Sequence, residues 1–183
     1  YEQNIACAGQ PDGQAWGGAM ILVEKMLVLH QALTAAKLPH AFGGALALAW
    51  CTQQARGTID IDINIFIPAD DFMTAIGALP EGIVVSEEKL ALLRRDGQVR
   101  LAWEQTPVDL FLNTMDYHQE AMRRVRWEWL GGALLPFIAC QDIAFFKAFF
   151  NRTKDWADLE AMHEAGSLDV ALLTGVIIQC LGD

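Results

Sequence analysis

Three aspartates carry the strongest chemical signal in the sequence. Asp60 and Asp62 lie two residues apart in the run Ile59-Asp60-Ile61-Asp62-Ile63-Asn64-Ile65-Phe66-Ile67, where isoleucine fills every odd position. Period two with β-branched residues predicts a strand over 59–67, with one apolar face and one face bearing both carboxylates. Their Cα atoms then stand about 6.5–7 Å apart, close enough for both side chains to lean toward one point. Two bare carboxylates on an isoleucine-rich strand repel each other and resist burial, so something positive must offset them. Arg56 is one candidate and a divalent cation is the other; hard oxygen ligands suit Mg²⁺ or Mn²⁺. Asp109, in Val108-Asp109-Leu110-Phe111-Leu112, has the same layout. If the two strands are neighbours, three carboxylates converge. Taken alone, such alternation also describes a solvated sheet face.

The elements that would position these acids can be read around them. Gly43-Gly44 opens a helix over about 45–54, whose free backbone N–H groups and dipole suit an anion. A helix over 18–37 precedes it, with apolar positions at Ile21, Met26, Leu29 and Leu33, and Leu38-Pro39 stops it. His40 to Phe42 makes a short strand. Pro68 ends the acidic strand and a short helix follows over 70–78. Strands are expected at 83–85, 90–93 and 99–103, with a hairpin turn at Arg95-Asp96-Gly97-Gln98. Strand 108–112, a helix over 117–125 and a short strand over 125–129 come next. Helices over 141–150, 154–165 and 168–181 close the chain. The fold class is α+β, a mixed sheet flanked by helices with a C-terminal helical segment. The expected division is an irregular arm at 1–17, a core at 18–137 and a helical segment at 138–183 packed on that core.

The run from His40 to Ile67, HAFGGALALAWCTQQARGTIDIDINIFI, resembles the core signature of the polymerase-β-like nucleotidyltransferase superfamily. That signature is a Gly-Gly or Gly-Ser turn, a helix, then a strand bearing Asp-x-Asp. Arg56-Gly57-Thr58 resembles the R-x-T-x-D-x-D version of the small bacterial branch related to AbiEii abortive-infection toxins. Asp109 in TPVDLFL matches the third carboxylate of the family. Residues 138–158 resemble that branch's helical motif, with Asp142, Lys147, Arg152, Lys154, Asp155 and Asp158 at the matching positions. Many members carry a Ser or Thr directly after the first glycine. Here Gly44 and then Ala45 follow Gly43, so phosphate contact would rest on backbone N–H groups.

The resemblance implies an enzyme that moves a nucleoside monophosphate from a nucleoside triphosphate to an acceptor hydroxyl, with Mg²⁺ or Mn²⁺ as cofactor. Asp60, Asp62 and Asp109 would hold the metal and carry catalysis. Gly43, Gly44, Arg56, Thr58, Lys147 and Lys154 would bind the nucleotide. The acceptor is a small molecule, an RNA or a protein side chain. The alternative is a catalytically inactive nucleotide-binding or partner-interaction module of the same fold, and a homo-oligomer or partner protein fits either reading. The branch is related to toxins of toxin–antitoxin systems, and the sequence does not say whether this chain belongs to such a pair.

Composition bounds these readings. The 183 residues are 53% hydrophobic and 20% charged, enough to bury a core and unlike a disordered chain. A net charge of −10 disfavours nucleic acid as a partner, since phosphate binding needs clustered Lys and Arg. Arg123, Arg124 and Arg126 form the main basic cluster, read as a solvated helix end. No uncharged apolar stretch of about 18 residues marks a membrane span. The four cysteines (Cys7, Cys51, Cys140 and Cys180) are scattered and are expected to be reduced thiols of a cytoplasmic protein.

Overall fold

A computed structural model describes residues 20–54 and 57–182. The arm expected at 1–17, with Cys7, and the candidate Arg56 lie outside the described residues. In chain order the elements are α1 (Leu22–Ala35), β1 (His40–Phe42), α2 (Gly44–Thr52), β2 (Ile61–Pro68), α3 (Phe72–Gly77), β3 (Ile83–Val84), α4 (Glu87–Asp96), β4 (Gln98–Trp103) and β5 (Thr106–Asn113). They continue with α5 (Tyr117–Arg123), β6 (Arg126–Leu130), β7 (Ala133–Phe137), α6 (Cys140–Phe150), α7 (Thr153–Glu164) and α8 (Val170–Leu181). The strands form one mixed sheet in the order β3-β4-β5-β2-β1-β7-β6. The pairs β2·β5 and β1·β7 are parallel and the others antiparallel.

The isoleucine ladder sets the register at the centre of the sheet. Ile61, Ile63 and Ile65 are almost completely buried, as are Val108, Leu110 and Leu112 opposite them on β5. Val99, Leu101 and Trp103 of β4 extend the same apolar face. Each buried aliphatic side chain contributes roughly 1.5–3 kcal/mol. A slip of one residue would therefore expose the whole ladder and bury the acids. Apolar packing on one face thus fixes where the carboxylates stand on the other.

Three expectations change. Residues 90–93 are not a strand, and no hairpin turn lies at 95–98: this segment is α4. Ser86 caps its N-terminus by accepting a hydrogen bond from the Lys89 N–H at 3.3 Å. Glu87 and Glu88 occupy its first turn and Arg94 and Arg95 its last, each sign suited to the helix dipole. Gly97 then ends the helix in the left-handed conformation at φ 65°. The leucines at 90, 92 and 93 follow helical spacing, and only Leu93 is fully buried.

The second change is β7, a strand inside the apolar run 129–140. Gly131 and Gly132 both take positive φ, the geometry of a two-residue hairpin turn matched to strand twist. Leu135 and Phe137 are buried where β7 runs beside β1. Trp127 and Trp129 of β6, by contrast, are exposed. Among the described residues no helix is long and apolar enough to cross a membrane.

The third change concerns the thiols. Cys51 of α2 and Cys140 at the start of α6 are joined in a disulfide across 89 positions of sequence, with Cα atoms 5.5 Å apart. Cys180 is free and exposed. Two of the thiols expected to be reduced are therefore oxidised, and the cysteines give no ground for a cytoplasmic location. The bond ties α2 to the helix that carries Lys147.

The cap on α4 gives a direct check of this register. Replacing Ser86 by Ala removes the Lys89 N–H acceptor and is expected to lower stability by about 1 kcal/mol in urea unfolding, without changing the sheet. No change on substitution would show that the segment does not depend on a helical start there.

Candidate active site

The acids predicted from the sequence meet on one face of the sheet. Asp62 and Asp109 are direct Cα partners across the parallel pair β2·β5. Arg100 is the Cα partner of Asp109 across β4·β5. On the other side of Asp62, the Gly43 N–H donates to the Asp62 carbonyl at 2.9 Å. A single row perpendicular to the strands thus runs Arg100, Asp109, Asp62, Gly43. Asp60 sits just before β2, two residues from Asp62 and on the same side. Thr58 helps fix its backbone, its hydroxyl accepting from the Asp60 N–H at 3.2 Å.

Arg100, Asp109, Asp62, Asp60 and Thr58 line a cleft of about 700 Å³. One wall is Gly44 and Ala45 at the start of α2, with Thr58 below. The opposite wall is basic: Lys147 of α6, Arg152 in the bend after it, and Lys154 of α7. Phe111 and Phe150, with ring centroids 6.2 Å apart, make its apolar end. Thr58, Asp60, Asp62, Asp109, Gly44, Lys147 and Lys154 therefore all face one space. Gly43 borders a smaller recess of about 100 Å³ that shares Gly44, Asp62 and Lys147 with the cleft.

The glycine bend is shaped by Asp62. At Gly44 φ is +58°, and a Cβ there would lie 1.8 Å from Asp62 Oδ2. No other side chain fits between the bend and the carboxylate. Since the Gly43 N–H is taken by the strand, the amides open to the cleft are those of the first turn of α2 after it.

The basic wall is braced by acids of its own. Asn151, at φ 53°, breaks the chain between α6 and α7. Arg152 is the N-cap of α7, and Asp155 Oδ2 accepts from the Arg152 N–H at 3.2 Å and from its Nε at 2.6 Å. Although the helices are separate, Lys147 Nζ donates to Asp158 Oδ2 at 2.6 Å. Asp142 lies elsewhere: it is fully buried and held by the Tyr117 hydroxyl at 2.8 Å and by Arg124 at 2.6 Å. It holds α6 to α5 and is not among the residues lining the cleft. The basic cluster is likewise spent on carboxylates, with Arg123 paired to Glu120, Arg124 to Asp142 and Arg126 to Glu128.

Arg100 escaped the sequence reading. Its guanidinium grips Asp109 through Nε at 2.7 Å and Nη2 at 2.5 Å, and Nη2 reaches Asp60 Oδ2 at 3.3 Å. The alternation Val99, Arg100, Leu101 signalled that it lies opposite the apolar face, but only strand pairing sets it beside Asp109. The Asp62 side chain, half-buried between the other two acids, has no hydrogen bond or ion pair to any described residue. Burial, then the charges of Asp109 and Asp60, push its carboxyl up to about 6. Three hard oxygen donors with an uncompensated carboxylate among them suit a divalent cation in their chemistry. Their present arrangement is not a closed ligand set: among the described residues, no group of three or more His, Cys, Asp or Glu is placed to hold a metal.

No protein-family model matches the chain, and no curated protein matches it in sequence. Solved structures do share its fold. The antibiotic-resistance factor ANT(2″)-Ia superposes with a TM-score of 0.57 at 13% identity, over 86% of this chain and 91% of that one. It has also been solved in complex with adenylyl-2″-tobramycin. The lincosamide antibiotic adenylyltransferase LnuA, lincomycin-bound, gives 0.53 at 15% identity, over 79% and 98%. An antigenic nucleotidyltransferase-like protein from Paracoccidioides brasiliensis gives 0.51 at 18%, over 86% and 87%. The chain has the nucleotidyltransferase fold.

The raised Asp62 carboxyl has a consequence for stability. Its ordinary value is 3.8, so it favours folding only while protonated. That contribution is fully present below about pH 4 and lost as the pH rises through about 6. At neutral pH the ionised group costs on the order of 3 kcal/mol. Asp62→Asn is therefore expected to raise Tm at pH 7.5 and to lose that advantage by pH 4. Equal Tm differences at both pH values would show that Asp62 is not electrostatically strained.

Proposed function

We propose that the protein is a metal-dependent nucleotidyltransferase that moves a nucleoside monophosphate from a nucleoside triphosphate to a hydroxyl of a small molecule. The observation that carries this reading is the row Asp109, Asp62, Gly43 with Asp60 beside it, facing a basic wall across one cleft. A triphosphate needs such a division. Its negative oxygens are drawn by Lys147, Arg152 and Lys154 and by the first-turn amides of α2. The reacting phosphorus is brought to the carboxylate side, where a cation must balance the acids.

Asp60, Asp62 and Asp109 would hold Mg²⁺ or Mn²⁺. When bound, the metal would neutralise charge on the phosphates and lower the pKa of the acceptor hydroxyl. The acceptor oxygen forms a bond to the α-phosphorus while the bond from that phosphorus to the α,β-bridging oxygen breaks, and pyrophosphate leaves. Asp109, at the outer end of the row, is the carboxylate on the acceptor side and can take up the hydroxyl proton. Lys147 anchors the departing phosphates, its Nζ held in place by Asp158 with donors to spare. Gly44 lets the backbone approach the phosphates while leaving room for the Asp62 carboxylate.

The lincomycin-bound adenylyltransferase and the adenylyl-2″-tobramycin complex among the structural neighbours support a small-molecule acceptor, as does the exposed cleft. Net charge argues against RNA. An inactive nucleotide-binding module is the second reading, favoured by the Gly43 N–H being spent within the fold and by Ala45 offering no hydroxyl.

Labelled nucleoside triphosphates with Mg²⁺ or Mn²⁺ and a panel of hydroxylated small molecules test both. Acceptor-dependent pyrophosphate release is expected, falling about 100-fold or more in Asp60→Ala and Asp109→Ala. Tight nucleotide binding without release would leave the module. Release insensitive to both substitutions would remove the carboxylates from the chemistry.

A further inference from the structure

Arg100 stands at one end of the acidic row, and the proposed chemistry makes no use of it. Among the described residues it is nevertheless the cation that engages the acids most directly. Its bidentate pair with Asp109, at 2.7 and 2.5 Å, occupies both oxygens of that carboxylate. The same Nη2 bridges to Asp60 at 3.3 Å. An ion shared by Asp62 and Asp109 needs at least one Asp109 oxygen, and Arg100 now faces both.

We propose that Arg100 is a built-in counter-ion of this site, a positioning residue that holds Asp109 and Asp60 before loading and that a divalent cation must displace. The inference rests on these carboxylates being the metal ligands. Three features fit an exchangeable counter-ion and not a permanent brace. The Arg100 side chain is 58% exposed, so water can take over its hydrogen bonds as it leaves. It also borders a second depression of about 370 Å³, lined by Ser86, Leu101, Glu104 and Thr106, with room for the swung-out guanidinium. Finally, Arg100 compensates Asp109 and Asp60, and among the described residues the Asp62 carboxylate has no hydrogen-bond or ion-pair partner, so an arriving cation meets that carboxylate before it competes for the others. Displacement of an arginine pair this exposed is expected to weaken ion binding by about two- to fivefold.

Mn²⁺ titration of the nucleotide-free protein, followed by the electron paramagnetic resonance of the free ion, reads this directly. Arg100→Gln should bind Mn²⁺ about two- to fivefold more tightly than the parent. Lys89→Gln, which removes the same charge from the cleft wall without touching the Arg100–Asp109 pair, should change affinity by less than about twofold. Arg100→Lys keeps the charge but not the fork, and should fall between the parent and Arg100→Gln. It also serves as the readout if Arg100→Gln does not fold. Unchanged or weaker Mn²⁺ binding in the Arg100 variants, while Asp62→Asn abolishes it, would overturn the role of Arg100 alone. Equal tightening by Lys89→Gln would reduce the effect to bulk charge and overturn it as well. Mn²⁺ binding that is absent, or indifferent to Asp62→Asn, would overturn this inference together with the carboxylate site.

Discussion

Parallel pairing of β2 with β5 places Asp62 directly beside Asp109 on a half-buried sheet face, and much of the molecule answers that arrangement. Burial raises the cost of ionising Asp62, and the charges of Asp109 and Asp60 beside it add to that cost. The isoleucine, valine and leucine side chains on the opposite face compensate by holding the two strands in register. The acids cannot drift apart without exposing that ladder. Stability on one face is used to maintain electrostatic strain on the other, the combination expected where a cation or charged ligand is to be bound.

The surroundings of the row follow from the same constraint. The bend at Gly44 has no room for a Cβ because Asp62 Oδ2 occupies that space. Arg100 supplies the compensating charge at the far end. Across the cleft, positive groups have been gathered from three places: α6 gives Lys147, the bend gives Arg152 and α7 gives Lys154. Asp155 and Asp158 hold the first two in position. The disulfide between α2 and α6 links the two walls covalently. The cleft is thus acidic on its sheet side and basic on its helical side, a polarity suited to a phosphate-bearing ligand whose reacting centre needs a cation.

Several of these groups were legible before any coordinates. The period-two run 59–67 and the Val-Asp-Leu-Phe-Leu segment marked the acids, and the glycine pair marked the bend. The helix at 87–96 was not, because its three leucines fit a short strand as well as a helix when Ser86 and Gly97 are not recognised as caps. The strand at 133–137 was hidden in a continuous apolar run, where periodicity carries no signal. The disulfide could not be read from spacing, since the cysteines approach only through the packing of α2 on α6.

The sequence by itself determined the chemistry on offer: two carboxylates in phase on one strand, a third of the same phase, and a glycine bend upstream. Alternation with a period of two is a local property, so it needs only the chain itself. Which groups meet was decided by tertiary structure. That β2 and β5 are neighbours, that Arg100 faces Asp109, that Lys147 crosses a broken helix to reach Asp158, and that Asp142 is spent on Tyr117 and Arg124 all depend on contacts between distant segments. Strand order and helix docking are settled by the burial of whole faces, and no local pattern in the chain encodes them.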